Sequence, residues 1–128
     1  MIKAIIAIAT GAALGAISRW LLAIAFNPLF STLFAGILFA NLIGGFLIGV
    51  ILYIISVYPD FSDVWKLFLI TGLLGSLTTF SSFSAEIFNL LQENKWANAL
   101  FIALFHLVGS ISMTALGFIS ASFIKKII

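Results

Sequence analysis

The chain has 128 residues, 63% hydrophobic and only 8% charged, with a net charge of +2. A soluble domain carries about 25% charged residues, so this chain could not cover its own surface with polar groups and belongs in a membrane. The few, scattered basic residues exclude a nucleic-acid footprint, and the lack of cysteine excludes disulfides, thiolate catalysis and cysteine-ligated metals.

A spanning helix needs roughly 20 apolar residues. Apolar runs fall at about 3–25, 32–56, 66–91 and 97–124, predicting an all-α integral membrane protein with four transmembrane helices in one domain, 1–128. Asn27-Pro28, Tyr58-Pro59-Asp60 and Gln92-Glu93-Asn94-Lys95 supply the connections. None is long enough to hold a soluble domain, so any activity lies in or across the bilayer. Lys3 before an apolar run has the shape of a secretory leader. Three further runs just as apolar favour a retained first span.

The first span carries Gly11, Gly15 and Ser18 on one face, with Arg19 beside them. Small residues four apart let helix backbones approach closely, so this pair of glycines reads as packing. Arginine inside a span is costly unless it snorkels or meets an anion or carbonyls. Arg19 therefore reads either as a snorkelling anchor or as a charge shaping an electropositive vestibule.

In the second span Asn41, Gly44 and Gly45 lie close together, and Gly49 repeats the small-residue spacing. Asn41 is either a helix–helix hydrogen-bonding residue or a donor aimed at an anion, since its NH₂ offers two protons.

The third span is predicted to be interrupted near its middle. Gly72 and Gly75 precede Ser76, Leu77, Thr78 and Thr79, a run of low helix propensity. A break frees backbone carbonyls and amides, which membranes tolerate only inside protein or beside water. Such carbonyls can hold a cation. Beyond it, Phe80 and Phe83 share a face, and Thr79, Ser82 and Glu86 follow the adjoining one. The phenylalanines are core packing or, flanked by hydroxyls at that depth, a pore lining.

The fourth span places His106, Ser110, Met113, Thr114 and Gly117 on one side. His106 is a proton-carrying group or a polar end-group near a vestibule. One histidine and four acidic residues assemble neither a zinc site nor a nucleophile–base–orienter set, so the chain is not expected to be an enzyme.

Four basic residues (Lys3, Lys66, Lys125 and Lys126) flank one membrane face, against Lys95 and Arg19 on the other. A bias this weak permits insertion in both orientations, and the alternative is that Lys125 and Lys126 fix the termini inside.

Taken together, the sequence resembles the Fluc, or CrcB, family of fluoride channels along its whole length. The resemblance is carried by the segments Gly11–Arg19, Asn41–Gly44 and, above all, the Gly72–Glu86 motif containing Gly75-Ser76-Leu77-Thr78-Thr79-Phe80-Ser81-Ser82-Phe83-Ser84. Ser81-Ser82 stands where many relatives have Ser-Thr. The resemblance implies an antiparallel, dual-topology homodimer with two pores in the bacterial inner membrane. It implies a structural Na⁺ at the dimer centre, held by the carbonyls of Gly75 and Thr78. It matches Phe80 and Phe83 to pore-lining rings, Asn41 to a pore asparagine and Ser110 to a serine near the permeation route.

The physics is coherent with that assignment. Fluoride is tightly hydrated, so a pore must replace water with close donors. Asn41, Thr79, Ser82 and Ser110 are candidate donors along the route, and the positive edges of Phe80 and Phe83 can meet an anion without holding it too tightly. Arg19 would raise anion concentration at the mouth. The donor physics does not itself separate fluoride from chloride; the resemblance implies that selectivity, and with it passive, fluoride-selective export that relieves fluoride toxicity. The rivals are a fluoride/proton antiporter using Glu86 or His106, a small proton-coupled multidrug exporter, and a structural subunit using only the glycine faces. The exporter needs a carboxylate in the first span, and there is none.

Overall fold

The apolar runs fold as helices because a bilayer leaves each backbone no partner but its own. The structure is a computed structural model that describes residues 1–29 and 35–127. Helix α1 (Ile2–Phe26) runs into a 3₁₀ turn, Asn27–Leu29, at the expected Asn-Pro connection. Helix α2 spans Ala35–Val57; the expected start at 32 lies among residues 30–34, outside the described residues. Asn27 Oδ1 accepts from the Gly36 N–H at 2.9 Å, so the α1 end supplies an acceptor for the first turn of α2.

Tyr58-Pro59-Asp60 makes a tight turn, with Phe61 N–H donating to the Tyr58 carbonyl at 3.0 Å. The third span then begins as α3 (Asp63–Lys66), widens into a π-helix over Leu67–Leu74 and closes as α4 (Gly75–Leu77). Two extended residues, Thr78 (φ −78°, ψ 153°) and Thr79 (φ −150°, ψ 122°), interrupt it before α5 (Phe80–Gln92). The interruption therefore lies within the expected run, at its two threonines. Gly72 stays helical because it is the contact point with α1: a Cβ there would lie 2.8 Å from the Ile8 carbonyl oxygen.

Asn94 ends the third span in the left-handed region (φ 60°). Lys95 N–H reaches the Leu90 carbonyl (2.9 Å) and Asn94 N–H reaches that of Leu91 (3.1 Å), the double bond of a Schellman cap with asparagine in the usual glycine place. Helix α6 (Trp96–Ile127) is the fourth span. Its end returns to the second connection, where Lys125 Nζ lies 5.3 Å from the Tyr58 ring centre. Four helical stretches, Ile2–Leu29, Ala35–Val57, Asp63–Gln92 and Trp96–Lys126, are long and apolar enough to cross a membrane.

Small residues set the packing. Gly11 and Gly15 of α1 abut backbone atoms of Phe68, Leu73 and Leu77, while Gly45 and Gly49 of α2 abut the Ser110 and Thr114 carbonyls of α6. Gly117 returns the contact from α6 onto Phe46. The buried apolar core is correspondingly thin, centred on Ala40, Leu74 and Leu77. Much of the remaining apolar surface, including Ile17, Leu104, Phe105 and Ile111, is exposed.

These contacts predict a contrast between two glycines. Gly49→Val drives a side chain into the Thr114 carbonyl, an overpacking that costs about 1–3 kcal/mol. Gly109→Ala meets only the flexible Leu42 Cδ2 at 2.9 Å and should be tolerated. Thermal unfolding in detergent checks this: a clear Tm loss is expected for the first variant and little change for the second.

Candidate functional site

The break at Thr78–Thr79 creates the chemical problem that the site solves. In an unbroken helix Thr79 N–H would bond the Gly75 carbonyl and Ser82 N–H that of Thr78. Here Thr79 N–H turns to Asn41 Oδ1 at 2.8 Å, and Ser82 N–H turns to Thr79 Oγ1 at 3.2 Å. Thr79 thus acts as the side-chain cap of α5. Among the described residues no donor replaces those two at the Gly75 and Thr78 carbonyls. They line, with Asn41, Gly44, Gly45 and Ser110, a cavity of about 360 Å³.

Asn41 grips the broken strand with both ends of its amide. While Oδ1 accepts from Thr79 N–H, Nδ2 donates to the Thr79 carbonyl at 3.2 Å. The same nitrogen lies 3.2 Å from His106 Nδ1 on α6. Asn41 is therefore a bridge between α2, the break and α6. It makes interhelical hydrogen bonds and also lines the cavities on which the second of its sequence readings depends.

Arg19 closes the break from the opposite side. Its Nε donates to the Ser76 carbonyl at 3.1 Å, and Nη1 reaches Ser82 Oγ at 3.5 Å. Bonding to a carbonyl is one of the few ways an arginine becomes tolerable inside a span. Ser82 Oγ also lies 3.2 Å from Thr79 Oγ1, and that hydroxyl is 3.1 Å from Ser81 Oγ. The guanidinium, Thr79, Ser81 and Ser82 thus form one polar cluster at the start of α5. The N-terminus of that half-helix adds its own partial positive charge.

Asn41 also lines a second cavity, of about 280 Å³. Thr78, Thr79, Phe80, Phe83, His106 and Ser110 line it. Phe80 and Phe83 do share a face, with ring centres 5.5 Å apart. Their surroundings differ. Phe83 packs on the His106 ring at 4.8 Å, whereas Phe80 is 79% exposed. Ser110 lines both cavities. Asn41, Phe80, Phe83, Thr79, Ser110 and the Gly75–Thr78 pair are thereby brought together, and Ser82 and Arg19 sit one turn away. Glu86 is also buried, on α5.

The sequence reading missed two partnerships. One is the Ser76 carbonyl that holds Arg19; the other is His106, which joins Asn41 at the cavity wall. A polar residue on the same apolar helix side as Ser110 was the only signal of the latter.

Comparison with known proteins bears on what such a site is for. A family model described as CrcB-like protein, Camphor Resistance (CrcB), matches residues 6–118. A protein of Haemophilus influenzae (strain PittEE) named Fluoride-specific ion channel FluC is 50% identical over 115 residues, covering 90% of each chain. Proteins of the same name are similar from Tolumonas auensis, 44% identical over 98% of this chain and 99% of that one, and from Pasteurella multocida, 52% identical over 88% of both.

The amide grip predicts a specific stability cost. Asn41→Ala strands the part-buried Thr79 N–H and removes a second donor from its carbonyl, and a desolvated group left without a partner costs about 1–3 kcal/mol. A lowered Tm in detergent is expected; an unchanged Tm would mean that the break is held by other groups.

Proposed function

Because this chain belongs to the CrcB-like family, we propose that it is a passive, fluoride-selective channel working as an antiparallel, dual-topology homodimer. It is a multi-pass membrane protein, and its relatives bear the name of an ion channel rather than of an enzyme. The observation that carries the reading is the cavity beside the helix break, where neutral donors and two phenylalanines meet without a carboxylate among the lining residues.

The chemistry follows from those side chains. A small anion stripped of water needs close donors, and hydroxyls at Thr79, Ser82 and Ser110 can turn toward it. Phe80 and Phe83 offer positive ring edges that attract an anion weakly enough to let it leave. Arg19 and the α5 N-terminus bias the approach toward negative charge. Asn41 shapes the lining by holding Thr79 extended, and an ion passing close by could draw its NH₂ from His106 or Thr79. Phe80, 79% exposed in one protomer, acquires a full set of neighbours only if a second copy or lipid covers that face, which favours a pore completed by a dimer.

A structural Na⁺ fits the residues present. The Gly75 and Thr78 carbonyls have lost their helical donors, and a hard cation of this kind takes oxygen ligands. Bound between two subunits, Na⁺ would add positive potential and lock the interface. Export is the useful direction, since fluoride enters a cell as neutral HF and is trapped there as the ion.

One second reading has a specific observation behind it. Glu86 and His106 are both buried, at 4% and 5% exposure, and buried titratable groups suit a fluoride/proton antiporter. A multidrug exporter has no carboxylate in α1 to work with.

Fluoride efflux from proteoliposomes, with chloride alongside, is the deciding experiment. Fast fluoride-only release that persists with the proton gradient collapsed is expected; release that stops with the gradient would establish the antiporter instead. Asn41→Asp and Phe80→Ile should cut the flux on the order of tenfold or more with the dimer intact, and normal flux in both would remove these residues from the pathway. Replacing Na⁺ by a large organic cation should slowly abolish activity. Flux that survives complete and prolonged removal would sink the sodium site.

A further inference from the structure

The C-terminal half of α6 carries a groove remote from the helix break. Ile111, Thr114, Ala115, Phe118 and Ile119 line an open cavity of about 460 Å³, and their spacing of three and four residues puts them on one side of the helix. Phe118 stands edge-on to Tyr53, ring centres 5.3 Å apart, which ties one wall of the groove to α2. The Thr114 hydroxyl donates to the Ser110 carbonyl of its own helix at 2.9 Å, so the lining offers a ligand little but apolar surface. Residues seven apart share a face, and Lys125 thus continues the line of Phe118 while Lys126 continues that of Ile119. Lys125 Nζ lies 5.3 Å from the Tyr58 ring centre. Unlike Lys66 and Lys95, neither lysine pairs with a carboxylate among the described residues. Tyr58 is 58% exposed and adds a phenolic hydroxyl at the same end.

We propose that this face of α6 binds one anionic phospholipid, its phosphate held by Lys125, Lys126 and Tyr58 and an acyl chain laid along the groove. The proposal goes beyond the channel reading and does not rest on it. Dimensions match the ligand to the face. At 1.5 Å per residue Lys125 stands about 21 Å from Ile111 along the helix, and half a bilayer with its headgroups measures about 20–22 Å. The basic end therefore sits at headgroup level when the groove sits among the acyl chains of the same leaflet. Charge complementarity selects the headgroup. Two ammonium groups without carboxylate partners favour a phosphate that carries no compensating cation of its own, by about fivefold for each lysine. Bound there, the lipid ties the end of α6 to the second connection through Tyr58.

The lack of cysteine in the chain makes this measurable. Ser112→Cys, a near-isosteric change at an exposed position one turn from Ala115, supplies a single thiol at the rim of the groove for a bimane label. The labelled protein is placed in phosphatidylcholine vesicles, and phosphatidylglycerol or phosphatidylcholine with a nitroxide on its acyl chain is titrated in. Half-quenching is expected at an about tenfold lower fraction of the phosphatidylglycerol probe. Lys125→Gln with Lys126→Gln should bring the two probes within about twofold, and raising salt from about 0.1 M to about 1 M should narrow the gap in the parent. Ala115→Trp, which fills the groove, should weaken quenching by both probes. The same label at Ile17→Cys, exposed on α1, should show no preference. Several results would overturn the proposal. Equal quenching by both probes at position 112 means no headgroup selection, and an equal preference at position 17 means attraction to the charged surface at large. Quenching by neither probe means that a second copy covers the face. A preference that survives loss of both lysines removes them as the phosphate site. Native mass spectrometry of the unlabelled wild-type protein gives an independent check. It should retain one phosphatidylglycerol per chain under conditions that strip phosphatidylcholine, and loss of both lipids alike would sink the site.

Discussion

Breaking a helix inside a bilayer exposes peptide groups where no water can meet them, and each one left without a partner costs several kcal/mol. Everything notable about this structure follows from how the break at Thr78–Thr79 is made tolerable. Asn41 mimics a neighbouring strand by both accepting from and donating to Thr79. Thr79 caps the helix that follows it, and Arg19 satisfies the Ser76 carbonyl just before it. Three helices must therefore be in register before the third span can be interrupted. Gly75 and Thr78, whose carbonyls have lost their helical donors, line a cavity beside the break.

That arrangement requires close helices, which is the office of the glycines. Asn and Arg side chains reach the break only if α1 and α2 lie nearly in backbone contact with their neighbours. Gly11 and Gly15 achieve this on one side and Gly45, Gly49 and Gly117 on the other. In lipid, where apolar side chains gain little by leaving the tails, such close packing together with interhelical hydrogen bonds supplies the association energy. The price is a core with few large buried side chains, and a protomer whose outer faces are apolar enough for lipid or a second subunit.

Most charged side chains lie at the connections and termini, Arg19 at the break and the buried Glu86 of α5 being the exceptions, and uncharged polar groups are concentrated at the break. Lys66 pairs with Asp63 and Lys95 with Glu93, both in exposed positions where such pairs contribute at most about 1 kcal/mol. Inside, the cavity wall presents an amide, hydroxyls, an imidazole and ring edges. Neutral donors of this kind suit an ion that must be desolvated and then released, since a fixed positive charge at close range would hold it. Arg19 is engaged by the Ser76 carbonyl and the Ser82 hydroxyl.

Composition and period made the gross architecture legible. Apolar runs separated by Asn-Pro, Tyr-Pro-Asp and Gln-Glu-Asn-Lys leave a bilayer-bound chain little choice but four spanning helices, and the Gly-Ser-Leu-Thr-Thr run announces an interruption because no residue in it favours a helix strongly except Leu77. The candidate cavity residues were legible too, as hydroxyls and an amide out of place among aliphatic neighbours. Sequence alone could not decide which way they face, because a helical period reports the side of a helix and not its partner. Gly72 illustrates this: it precedes the expected break, and only the fold shows that it abuts α1 while the chain opens at the threonines. The partners of Arg19 and Asn41, the Ser76 carbonyl for one and Thr79 with His106 for the other, are set by interhelical distances that no residue spacing reports. The orientation of the Asn41 amide is the furthest from the sequence, since it is set by a backbone N–H 38 residues away. Hydropathy thus determined that four helices cross; tertiary contact alone decided which polar atoms are used up in holding them and which remain for an ion, because a hydrogen bond is settled by distance and direction, not by residue type.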